Sequence, residues 1–113
     1  MTKSLLIGCG NLGQNIISGF YKKKKQVLIC DENKNLLKEI KKNYKNFFKV
    51  SENLVNISFN KIEYIFLCIK PQQALSVLRI ISQINNKKIK IISFVAGLKE
   101  KKIRSFFSHN IEV

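Results

Sequence analysis

Gly8, Gly10 and Gly13 stand at the spacing G-x-G-x-x-G between an apolar run and an amphipathic one, and Asp31 closes the next apolar run 18 residues beyond Gly13. Each residue type has a chemical use at its place. Gly8 allows a tight turn. Gly10 has no side chain, so a pyrophosphate can approach the backbone. Gly13 lets a helix pack closely on the preceding strand. The start of that helix, at Asn11 and Leu12, offers unpaired N–H groups and the positive end of a dipole to an anion. Asp31 is placed to accept hydrogen bonds from both hydroxyls of an adenosine ribose. The glycine spacing alone is weak. With a strand before it, a helix after it and an acid after the second strand, it predicts a dinucleotide site and NAD(P)H as the cofactor. The Asp31 carboxylate favours NAD over NADP, because a 2′-phosphate would meet a like charge. Lys34 is close enough to receive such a phosphate if the loop turns, so both remain open.

These residues need a frame of alternating strands and helices. Apolar runs at residues 5–7, 27–30, 64–69 and 89–94 predict strands. Residues 11–22 predict a helix with Leu12, Ile16 and Phe20 on one face. Asn33 predicts the N-cap of a second helix that carries Leu36, Leu37, Ile40 and Tyr44 inward. Residues 47–50 form a short third strand, and residues 51–58 one or two helical turns. Pro71 cannot continue a central strand but suits the first turn of a helix. That helix runs to about Ile84, with Ala74, Leu75, Leu78 and Ile81 inward. Ala96 and Gly97 make a turn, residues 100–107 a last helix, and residues 111–113 the start of another strand. Continuous apolar strands are buried on both faces, as in a parallel sheet. The alternation predicts an α/β fold of the Rossmann type: a doubly wound, mainly parallel sheet in three layers, with strand order 3-2-1-4-5. Residues 1–113 make one domain of that kind.

Composition narrows the function classes. The net charge is +14, almost all from lysine. A basic surface attracts polyanions, but Lys, Asn and Ile make up about two-fifths of the chain and share A/T-rich codons. The lysines are scattered and not interleaved with exposed aromatics, so the charge reads as composition and nucleic acid is not the expected partner. The charge run at residues 22–25 reads as a solvated helix end. Cys9, Cys30 and Cys68 lie far apart, in or beside strands, with no C-x-x-C and no nearby histidine. They predict buried thiols, neither a disulfide frame nor a metal site. His109, the one histidine, reads as a surface residue. No signal peptide is visible, and the longest apolar run, residues 65–69, is far too short to span a bilayer. The expected location is cytoplasmic.

Three segments resemble one family, the pyrroline-5-carboxylate reductases. Gly8-Cys9-Gly10-Asn11-Leu12-Gly13 is similar to that family's G-A-G-N-M-G loop. Cys68-Ile69-Lys70-Pro71-Gln72 is similar to its A-V-K-P-Q segment, and Ser93-Phe94-Val95-Ala96-Gly97-Leu98 to its S-I-A-A-G-I segment. Asn53 stands where that family has a cofactor-contacting Asn. The resemblance implies hydride transfer from a reduced nicotinamide to the C=N carbon of a cyclic imine, in proline biosynthesis. It implies that Cys68, Ile69, Lys70 and Pro71 line the nicotinamide side, and that Ala96 and Gly97 let nicotinamide or substrate approach the backbone. Leu12 replaces Met and Cys9 replaces Ala, and Cys9 is expected to add bulk beside the phosphates. A larger departure is that the family's helical domain, which makes its dimer and much of its substrate pocket, does not follow Val113. The expectation is little or no turnover by this chain, an apolar surface near Phe106 and Phe107, and a possible homo-oligomer. Lys70 as a proton donor has no visible partner to support it, and no catalytic residue is assigned. The alternative is a stand-alone or remnant NAD(P)-binding module without activity.

Overall fold

The apolar runs become parallel strands and the amphipathic stretches become the helices between them. The structure, a computed structural model, describes residues 2–86, 88–109 and 111–113. The elements in chain order are β1 (Ser4–Ile7), α1 (Asn11–Lys22), β2 (Leu28–Cys30), α2 (Lys34–Asn43) and β3 (Val50–Ser51). A single 3-10 turn (Leu54–Asn56) leads to β4 (Tyr64–Leu67), α3 (Pro71–Ser82), β5 (Lys90–Ser93) and α4 (Glu100–Arg104). The sheet order is β3-β2-β1-β4-β5, every pairing parallel. Glu112 adds a parallel bridge to Lys90 on the outer side of β5, so residues 111–113 do begin to pair as a strand.

Alternation along the strands divides the core in two. Leu5, Ile7, Ile65, Leu67 and Ile91 pack against Ala74, Leu78 and Ile81 of α3 and Ile103 of α4. Leu6 and Ile29 face the other way, onto Ile17 of α1 and Leu37 and Ile40 of α2. The result is three layers, helices on both faces of the sheet. This is the Rossmann-type arrangement, in which a parallel sheet is covered on both sides by its crossovers.

Several local expectations are corrected. The inner face of α1 is Gly13 and Ile17, with Ile16 and Phe20 beside them, and Leu12 is exposed. Leu75 likewise points outward, because Ala74 and Leu78 hold the centre of the α3 face. Residues 47–49 are not a strand. Phe47 and Phe48 turn into an edge-to-face aromatic cluster with Tyr21 and Tyr44, and β3 begins only at Val50. Such ring pairs add about 0.5–1.5 kcal/mol each beyond area burial, each about what one ladder hydrogen bond returns, and several form here. Tyr44 therefore lies beyond the end of α2 and packs from there. Phe106 and Phe107 are half-buried against the α3-side core and form no exposed patch. His109 is half-buried too, its ring edge-on to Phe107. No helix among the described residues is long and apolar enough to cross a membrane.

Candidate functional site

The carboxyl ends of β1, β2, β3 and β4 meet at a cleft of about 830 Å³, closed on one flank by α3. A parallel sheet leaves such a crevice where its strand order reverses, here between β1 and β4. The three glycines of the loop beneath it are each there for a different reason. Gly8 has φ +97°, and a Cβ on it would stand 2.5 Å from the Cys68 carbonyl oxygen, so the turn after β1 nests against the end of β4. A Cβ on Gly13 would overlap the Gly8 carbonyl, which fixes α1 directly on the turn. At Gly10 nothing lies within 4 Å of that position. Its open side faces the cleft, at the residue that caps α1. Asn11, Leu12 and Gly13 form the first turn of α1 behind the loop and do not line the cleft.

Asp31 is held rigidly. Its Oδ2 accepts from the Cys9 N–H at 2.8 Å and its Oδ1 from the Asn33 N–H at 2.8 Å. An ionised carboxylate has lone pairs to spare after two such bonds, so Asp31 can still accept from a ligand. Two consequences were not visible beforehand. The Cys9 amide is already used by Asp31. The Cys9 side chain is 1% exposed and packs with Leu6 and Ile17, although the residue borders the cleft. The side chain turns under the loop rather than out from it.

The remaining walls come from three segments. Asn53 lines the cleft and caps the 3-10 turn, its Oδ1 accepting from the Val55 N–H at 3.0 Å. Cys68, Ile69 and Lys70, the run between β4 and α3, line the opposite end. Pro71 is the first residue of α3 and stands outside the lining. Lys70 is anchored at its backbone, accepting from the Gln73 N–H at 2.9 Å. Ala96 and Gly97 sit in the turn after β5 and do not reach the cleft. Gly97 has φ +75° with nothing within 4 Å of its Cβ position, so the turn itself accounts for it.

Lining residues that sequence reasoning missed are Gln73, Ser76, Val77 and Ile80 of α3, and Glu32 and Glu52. The first four repeat at helical spacing on one face, a signal that was available. Glu52 comes into place only through the register of β2 with β3, which pairs Cys30 with Ser51. Lys34 reaches it, Nζ to Oε2 at 3.6 Å, with both side chains largely exposed.

The three thiols border this cleft without being reactive. Burial, then the neighbouring Asp31 carboxylate, pushes Cys9 well above the ordinary thiol range. Burial raises Cys30 to about 11, with Asp31 and Glu32 adding to it, and burial alone raises Cys68 to about 11. At neutral pH all three stay protonated, and a thiol is a poor nucleophile. No group of three or more His, Cys, Asp or Glu among the described residues could hold a metal ion.

The fold agrees with known proteins. The model of a family described as NADP oxidoreductase, coenzyme F420-dependent, matches residues 4–97. Among solved structures, a pyrroline-5-carboxylate reductase from Coxiella burnetii superposes with a TM-score of 0.77 at 20% identity, over 94% of this chain and 40% of that one. A diketoreductase gives 0.76 at 13% identity, over 96% and 46%. A protein described as a 2-dehydropantoate 2-reductase from Enterococcus faecalis gives 0.70 at 14% identity, over 94% and 38%. At these identities the likeness establishes the fold, and the chain spans less than half the length of each. No curated protein sequence matches the chain.

Proposed function

The chain belongs to the family described as NADP oxidoreductase, coenzyme F420-dependent, and from that premise we propose that its cleft binds a nicotinamide dinucleotide as the cofactor domain of a reductase. The observation that carries this is the open space at Gly10, at the N-terminus of α1, beside the braced carboxylate of Asp31. The pyrophosphate would lie across Gly8 to Gly13, where a helix N-terminus favours negative charge. Asp31 would accept from the adenosine ribose. Asn53 would border the nucleotide, and Cys68, Ile69 and Lys70 would flank the nicotinamide. Ala96, Gly97 and Pro71 have no direct part in this assignment. The unpaired state of all three cysteines supports work in a reducing compartment such as the cytoplasm.

The finer proposal is a reductase of the pyrroline-5-carboxylate type, delivering hydride to a cyclic imine. The K-P-Q and A-G segments support it, together with the likeness to the Coxiella burnetii enzyme. The cofactor supplies the hydride, and this chain's residues bind and orient it. A second reading, binding without turnover, is favoured by one observation: Ala96 and Gly97, where the resemblance puts nicotinamide or substrate, stand outside the cleft that Cys68–Lys70 and α3 line. Titration of the chain with NADH and NADPH, followed by nicotinamide fluorescence, tests the binding. Saturable binding of at least one is expected, and no binding of either at about 1 mM, a level weaker than about 4 kcal/mol, overturns the assignment. Reduction of a cyclic imine by the same chain separates the two readings; the expected result is binding with little or no turnover.

A further inference from the structure

We infer that the adenosine end of the cleft selects against a 2′-phosphate, and that Glu52 is one of the residues that does so. This rests on the dinucleotide assignment above and goes beyond it. The chain carries 21 cations and only 7 acids, yet three of the acids, Asp31, Glu32 and Glu52, line this one cleft. Two of them are brought side by side by the sheet. Cys30 pairs with Ser51 across parallel strands, and the Asp31 N–H donates to the Ser51 carbonyl at 3.1 Å. Asp31 and Glu52 therefore leave adjacent strand ends, which are about 4.8 Å apart in any sheet.

Two of the backbone donors at this end are also taken. A phosphate beyond β2 would look for the amides that open α2. The Asn33 N–H is given to Asp31 Oδ1, and the Leu36 N–H to the Asn33 side chain at 3.1 Å. A 2′-phosphate would thus meet carboxylates and find two of these amides occupied. Lys34, three residues beyond Asp31, is drawn to Glu52. Lys34, Lys38 and Lys41 line a neighbouring groove between α2 and β3 that shares Glu52 with the cleft. Glu52 stands between that lysine face and the cleft, and neutralising it removes one repelling charge while releasing Lys34.

The test is the pair of dissociation constants for NADH and NADPH, measured for the wild-type chain and for Glu52→Gln. The side chain of Glu52 is half exposed and the replacement has its shape, so folding is retained and circular dichroism checks it. In low salt the wild-type chain is expected to hold NADH about tenfold or more tighter than NADPH. Glu52→Gln is expected to narrow that ratio about threefold by tightening NADPH, with NADH unchanged. The wild-type ratio should shrink between about 20 mM and about 500 mM salt, because exposed charges are screened. NADPH binding as tight as NADH overturns the inference, as does a Glu52→Gln variant that shifts both constants together. NADH binding by the wild-type chain is the separate measure of the underlying assignment.

Discussion

A methyl group at Gly10 would meet nothing of the chain, whereas one at Gly13 would run into the Gly8 carbonyl. The same substitution should therefore separate binding from folding. Gly10 has φ −67°, which alanine adopts freely. Gly10→Ala is expected to leave stability within about 0.5 kcal/mol while weakening NADH about tenfold or more, since the added carbon takes the space kept for the pyrophosphate. Gly13→Ala is expected to cost about 1–3 kcal/mol of stability, because backbone on the turn must move to relieve the overlap. Urea denaturation and NADH titration on both variants check this. An unchanged NADH affinity in Gly10→Ala would place the phosphates elsewhere. The close packing at Gly13 was legible in sequence because it follows from the motif. The Cys9 side chain was not, since only the loop's path decides whether it points at the ligand or beneath the loop.

Both long helices of the first half end without a glycine. Lys24 has φ 54°, with its N–H bonded to the Tyr21 carbonyl at 3.0 Å and the Lys25 N–H to the Phe20 carbonyl at 2.9 Å. Lys45 repeats the arrangement at the end of α2 with φ 52°. This is the Schellman closure, with lysine where glycine is the usual residue. The left-handed conformation costs a non-glycine residue about 1–2 kcal/mol, and glycine returns part of that through its freer unfolded chain. Lys24→Gly is expected to stabilise the domain by about 0.5–1 kcal/mol, and Lys24→Ala to change it little. Denaturant midpoints check this; a loss of stability in Lys24→Gly would mean that the lysine side chain holds the turn. At this scale the sequence was informative where local chemistry decides. Asn33 caps α2 through the Leu36 N–H as its position implied, and α1 spans the residues that its periodicity marked. It was silent where distant partners decide. Phe47 and Phe48 were drawn from a strand by the rings of Tyr21 and Tyr44, and Glu52 entered the cleft through strand register.

The strand order followed from two general rules, right-handed crossovers and burial of apolar strands on both faces, so the molecule's plan was legible as a whole. Its charge adds a property that no single residue shows. The net charge is +14, and the four ion pairs among the described residues that involve acids are Lys3–Glu63, Lys34–Glu52, Lys90–Glu112 and Arg104–Glu100, all on substantially exposed side chains. Exposed pairs contribute about 0–1 kcal/mol each, while like charges spread over a small domain repel one another and destabilise the compact state. Screening weakens both, and with three cations for every acid the repulsion is the larger sum. The melting temperature is therefore expected to rise between about 20 mM and about 500 mM sodium chloride, by about 4–8 °C if screening returns 1 kcal/mol. Chloride is the right choice, because sulfate would also strengthen apolar burial. A melting temperature that falls with salt would show that the exposed pairs outweigh the repulsion.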